Sequence, residues 1–111
     1  ISSGESMLDV AKQVKQRKAN RVFICTTFGL FTEGLEKFDE YHRQGWIEKV
    51  ITTDLTYRPP ELLSRSYYEE ARMGKYLASI IDILNHDVSV EKVRSTTAKI
   101  TQLLESHQSA K

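Results

Sequence analysis

Cysteine occurs once in the 111 residues, at Cys25, so no internal disulfide can form and no pair of thiols can grip a metal. A lone thiol in a chain of this size fits a reducing compartment, and a cytoplasmic protein is the expectation. Neither sign of charge dominates: 16 Lys and Arg face 15 Asp and Glu, for a formal net charge of +1. That balance gives no electrostatic case for nucleic acid as a partner. No apolar run approaches the roughly 20 residues that cross a bilayer, so no membrane partner is expected either. Internal repeats and low-complexity tracts are lacking, and the two prolines stand side by side at Pro59 and Pro60. What is there, 40% hydrophobic and 28% charged residues, suits one small globular domain over residues 1–105, followed by a tail at 106–111.

The stretch richest in small, chemistry-bearing residues comes first: Ile1-Ser2-Ser3-Gly4-Glu5-Ser6, ahead of an amphipathic run. Small residues, one glycine and flanking hydroxyls leave backbone N–H groups free to converge on an anion. A helix beginning at about Ser6 adds the positive end of its dipole. The same residues also suit an ordinary serine-rich helix cap, and both readings stand at this point. A phosphate cradle is normally delivered by a strand, and none precedes Ile1, which predicts the C-terminal piece of a longer chain.

Met7, Leu8, Val10, Ala11 and Val14 recur at helical spacing and predict a one-sided surface helix over Ser6–Ala19, with Lys12, Lys15, Arg17 and Lys18 as its solvated face. Arg21–Thr27 is β-branched and aromatic and reads as a buried strand, with Cys25 an inert thiol inside it. Leu35, Phe38 and Tyr41 mark a second helix over Thr32–Gln44, with Thr32 as N-cap and Gly45 as stop. Trp46–Thr53 makes the next strand. Strand, helix, strand with short connections is a βαβ unit, which calls for a parallel sheet in an α/β fold. Function in such sheets sits beyond the carboxyl ends of the strands, so the loops at Thr26–Phe31 and Thr53–Tyr57 should face the crevice of the Ser2–Ser6 cradle.

Arg58–Leu63 is a proline-punctuated connection, and Ser66–Arg72 suits a short strand with Tyr67, Tyr68 and Ala71 inside. Met73, Tyr76, Leu77, Ile80, Ile81 and Leu84 predict a core helix ending near Asn85. Ser89 can cap a last helix on Val90, Val93, Thr97, Ile100 and Leu104, packed on the parent body or on a helix partner, before a frayed tail from Ser106. His42, His86 and His107 are isolated and read as solvated. Asp54 closes a strand beside the crevice, as a cap or as a contact to sugar or metal-bound water.

Four ordered blocks, "ISSGESM", "VFICTTFGLFTEGLEKF", "VITTD" and "YLASIIDILNHDVSVEKV", resemble the C-terminal part of a ribose-phosphate diphosphokinase, also called phosphoribosyl pyrophosphate synthetase, from Ile1 to about Val93. The resemblance implies an α/β, Rossmann-like phosphoribosyltransferase-type domain lacking its first strand. It implies an enzyme that transfers the diphosphate of ATP to ribose 5-phosphate with Mg2+, working as a homo-oligomer. On this resemblance Ser2, Ser3, Gly4, Glu5 and Ser6 fall where the family holds the sugar's 5′-phosphate, and Ser89 lies in its effector-binding region. Glu5 stands where many such loops carry a small residue, and should point outward or cap an amide. Phe28 stands where the family has His, so that histidine's task does not carry over. The acidic pair, the ATP-binding half and the ligands for Mg2+ would lie in the remainder of the parent chain, so this piece alone is expected to be inactive. Alternatives are a type I phosphoribosyltransferase, disfavoured by the match over residues 21–93, and a non-catalytic regulatory paralogue of the synthetase.

Overall fold

The computed structural model describes residues 1–86 and 97–110. The chain divides into two units, Ile1–Met73 and Gly74–Lys111. In the first, helix α1 (Glu5–Gln16) leads through Arg17–Val22 into strand β1 (Phe23–Thr26), helix α2 (Glu36–Arg43), strand β2 (Lys49–Thr53), the single turn α3 (Pro60–Leu63) and strand β3 (Tyr68–Ala71). The strands form one all-parallel sheet in the order β1-β2-β3, so this is an α/β fold, as the βαβ pattern predicts.

One face of that sheet carries the core. Ile24, Val50 and Tyr68 lie in register across the three strands, and all three are buried together with Leu8 and Ala11 of α1, Phe38 of α2 and Leu62 of α3. Side chains alternate along a strand, so the intervening row of Cys25, Ile51 and Glu69 belongs to the opposite face. There Phe23, Cys25 and Glu69 are exposed. The expectation of an inert buried thiol at Cys25 is therefore corrected. An apolar strand announces burial on both faces, but in this unit the helices that share the core with the sheet all cover the Ile24 face.

Local ends also differ from the pattern for physical reasons. Helix α2 starts at Glu36 and not at Thr32, because Gly34 (φ 83°) and Phe31 (φ 50°) turn the chain before it. Thr32 is spent elsewhere, its amide donating to the Ser2 carbonyl at 3.1 Å. The connection at Arg58–Leu63 closes into α3 behind Pro59, with Pro60 in the first turn, where a missing N–H costs nothing. Tyr67 and Tyr68 are buried as expected, whereas Ala71 is exposed.

The second unit contains helix α4 (Gly74–Asn85) and helix α5 (Thr97–Ser109). The expected stripe of α4 is present, and none of its residues is buried among the described residues. Periodicity specifies a face and says nothing of what covers it. Helix α5 runs through Ser109, past the expected start of a frayed tail, with the Ser106 and Ser109 hydroxyls donating to the carbonyls of Gln102 and Glu105. Ser89, Val90 and Val93 lie outside the described residues.

A polar knot fastens α2 to the segment before β3. The Arg65 guanidinium grips both oxygens of Asp39, at 2.9 and 3.0 Å, and the Tyr67 hydroxyl donates to the same carboxylate at 2.7 Å. The hydrogen bond from Arg65, aided by that from Tyr67, holds the Asp39 carboxyl below its usual range against the pull of partial burial. A depressed folded-state value stabilises the fold above the unfolded value near ~3.9, and that stability is lost as pH falls through the folded value. Asp39→Asn should therefore cost about 1–2 kcal/mol in urea unfolding at pH 7. The gap to wild type should narrow as the pH drops below about 4, and a gap independent of pH would contradict this account.

Candidate functional site

Gly4 is the N-cap of α1 and sits in the left-handed region at φ 88°, which an L side chain adopts only with strain. A Cβ on it would lie 2.8 Å from Cε2 of Phe38 and closer still to Cζ. Glycine is thus required twice over, for its torsion and for its closeness to α2. The Gly4 carbonyl accepts from the Leu8 amide at 2.9 Å, which opens the helical ladder. The amides of Glu5, Ser6 and Met7 precede that bond and have no acceptor within the helix, and no side chain among the described residues caps them. Ile1–Met7 line a depression of about 250 Å³ at this end. The helix begins one residue before the expected Ser6, so glycine, and neither serine nor threonine, makes the cap.

The residues before Gly4 are laid along the loop that follows β1. Leu30 N donates to the Ile1 carbonyl at 2.9 Å, Thr32 N donates to the Ser2 carbonyl, and the Ser2 and Thr32 hydroxyls lie 3.4 Å apart. Ile1 N donates to the Phe28 carbonyl at 2.7 Å. Phe28 therefore serves through its backbone while its ring is exposed. The cradle is in this way held at the carboxyl end of β1, where the parallel-sheet rule places function.

Glu5 shows what the sequence pattern could not. Its carboxylate pairs with Lys37 of α2, 32 positions away, and Lys37 also approaches Glu33 at 3.6 Å. The hydrogen bond and charge of Lys37 lower the Glu5 carboxyl from its ordinary value, and the same contact raises Lys37.

At the neighbouring strand ends, the Thr53 hydroxyl donates to the Thr27 carbonyl at 2.6 Å, joining the two loops expected to face the crevice. Thr26, Thr27, Thr52 and Thr53 help line a second depression of about 520 Å³. Gly29 packs so closely that a Cβ would meet Thr52 Cγ2 at 2.8 Å. Asp54 acts as a cap, accepting from Met73 N at 2.8 Å. His42 is half-buried: its ring lies 5.1 Å from that of Tyr67, and its Nδ1 is 3.2 Å from the Ile47 carbonyl. His86 is exposed beside Asp82, and His107 is exposed on α5. Among the described residues no three His, Cys, Asp or Glu side chains converge as metal ligands would.

No protein-family model matches this chain, and no curated protein matches it. Gly4→Ala tests the geometry of the cap directly. It should lower stability by about 2 kcal/mol or more, from the torsion and the overlap with Phe38 together. An unchanged urea midpoint would show that α1 does not sit on α2 in this way.

Proposed function

We propose that Ile1–Ser6 is the end of the 5-phosphate-binding loop of a ribose-phosphate diphosphokinase, and that this chain is a C-terminal part of that enzyme with a phosphoribosyltransferase-type fold. The observation that carries the reading is the uncapped first turn of α1 behind a left-handed glycine, set at the carboxyl end of a parallel sheet. Three amides without acceptors, reinforced by the helix dipole, suit a phosphate dianion. The Ser3 and Ser6 hydroxyls can add donors.

A further feature supports the incomplete-domain reading. Strand β1 is the edge of the sheet, and a groove of about 300 Å³ runs between it and α1, lined by Met7, Val10, Val14 and Phe23 among others. Those four side chains are exposed, where a strand parallel to β1 would cover them. The expected first strand has room there.

The parent reaction passes the diphosphate of ATP to the anomeric hydroxyl of ribose 5-phosphate. The share of this chain is to bind and orient: with the 5-phosphate fixed on the amides of Glu5, Ser6 and Met7, the sugar hydroxyl is held in line with the donor supplied by the rest of the parent. Such positioning is most of what an enzyme contributes to phosphoryl chemistry. The described residues do not fit a magnesium ion: no three potential ligands converge, Glu5 is paired with Lys37 and Asp54 accepts from the Met73 amide. Its ligands belong to the remainder of the chain, with the ATP site, in a cytoplasmic homo-oligomer.

Ser6→Ala in the full-length parent should weaken ribose 5-phosphate binding by about 1 kcal/mol or more, the scale of a hydrogen bond to a charged group. Unchanged calorimetric affinity would remove Ser6 from the site. The 111-residue chain by itself should form no AMP from ATP and ribose 5-phosphate, and measurable AMP would refute the division of labour proposed here.

A further inference from the structure

A carboxylate at the first turn of a phosphate-binding helix is a problem in electrostatics. Negative charge there is favourable to the dipole when the site is empty, but it repels the dianion that the same amides would bind. Glu5 is in that position: it lines the depression formed by Ile1–Met7 and also a separate depression of about 310 Å³ between α1 and α2, which Lys37 lines too. Lys37 holds the carboxylate, Asp9 and Tyr41 line the same groove, and Glu33 also approaches the Lys37 ammonium, at 3.6 Å. The next residue on α2, Phe38, is the one on which Gly4 rests, so the two successive side chains Lys37 and Phe38 brace the two successive cradle residues Glu5 and Gly4.

We infer that Lys37 is a positioning residue of the cradle, which keeps the Glu5 carboxylate on the α2 side and so leaves the amides of the first turn to the phosphate of a phosphorylated sugar. This rests on the reading of Ile1–Ser6 as a 5-phosphate loop. Lys37 works through Glu5: freed from its partner, the carboxylate can swing to its own helix terminus and compete with the ligand for the same donors.

The test is calorimetric titration of the full-length protein with ribose 5-phosphate, alongside steady-state kinetics, for Lys37→Met, Lys37→Arg, Glu5→Gln and the Glu5→Gln/Lys37→Met double variant. Lys37→Met should weaken binding by about two- to threefold, the scale of one uncompensated charge facing a dianion across roughly 6–8 Å of screened solvent. It should raise KM with kcat preserved. Lys37→Arg should retain most of the affinity, and Glu5→Gln should bind at least as well as wild type. The deciding comparison is the double variant, which should bind like Glu5→Gln alone. Equal losses in the two backgrounds would overturn the inference, because Lys37 would then act directly or through the fold. No loss in either background would overturn it as well. Failure of the wild-type protein to bind ribose 5-phosphate would instead remove the loop reading, and the inference with it.

Discussion

The contact on which most of the first unit depends is that of Gly4 with the ring of Phe38. Phe38 is fully buried, and it meets Phe31 edge to face at 5.1 Å between centroids. Phe31 in turn belongs to the loop whose amides at Leu30 and Thr32 hold Ile1 and Ser2. One aromatic pair thus supports the start of α1 from below and the residues before it from the side. The absence of a side chain at Gly4 lets the two helices approach this closely, and the positive φ at the same residue turns the chain from that loop into α1. Packing and the direction of the free amides are consequences of one residue.

The sheet is small and one-sided, and that shapes its energetics. Three short parallel strands bury one row of side chains under α1, α2 and α3, with the Thr52 hydroxyl joined to that of Tyr68 at 2.8 Å in the same layer. Parallel sheets are normally covered on both faces, because the crossovers of a larger fold place helices there. Here the second face shows Phe23 and Cys25, and α1 shows Met7, Val10 and Val14 in the groove beside β1.

Much of this architecture was legible in the residues. The helical stripe of α1, the βαβ order through α2 and the apolar cores of β1 and β2 follow from local periodicity, and local periodicity is what the structure preserves. What was not legible depends on distant partners. Thr32 resembles an N-cap until its amide is found on Ser2, 30 residues earlier, and Glu5 resembles an isolated misfit until Lys37 appears beside it. Cys25 reads as buried because an apolar strand does not say which of its faces a helix will cover. His42 reads as solvated because its neighbours, Tyr67 and the Ile47 carbonyl, come from later segments of the chain. Of the cradle, the residue types were visible, but the use of glycine as the cap and the bracing by α2 were not.

A left-handed glycine leaves three amides of α1 without acceptors among the described residues, and a sugar phosphate is proposed to fill them. The most direct measurement is a crystal structure of the full-length protein with ribose 5-phosphate bound. The account predicts the 5-phosphate in the depression formed by Ile1–Met7, its oxygens within hydrogen-bond distance of the Glu5, Ser6 and Met7 amides, with the Glu5 carboxylate still on Lys37. A fully occupied sugar phosphate bound elsewhere, with those amides facing only solvent, would contradict it.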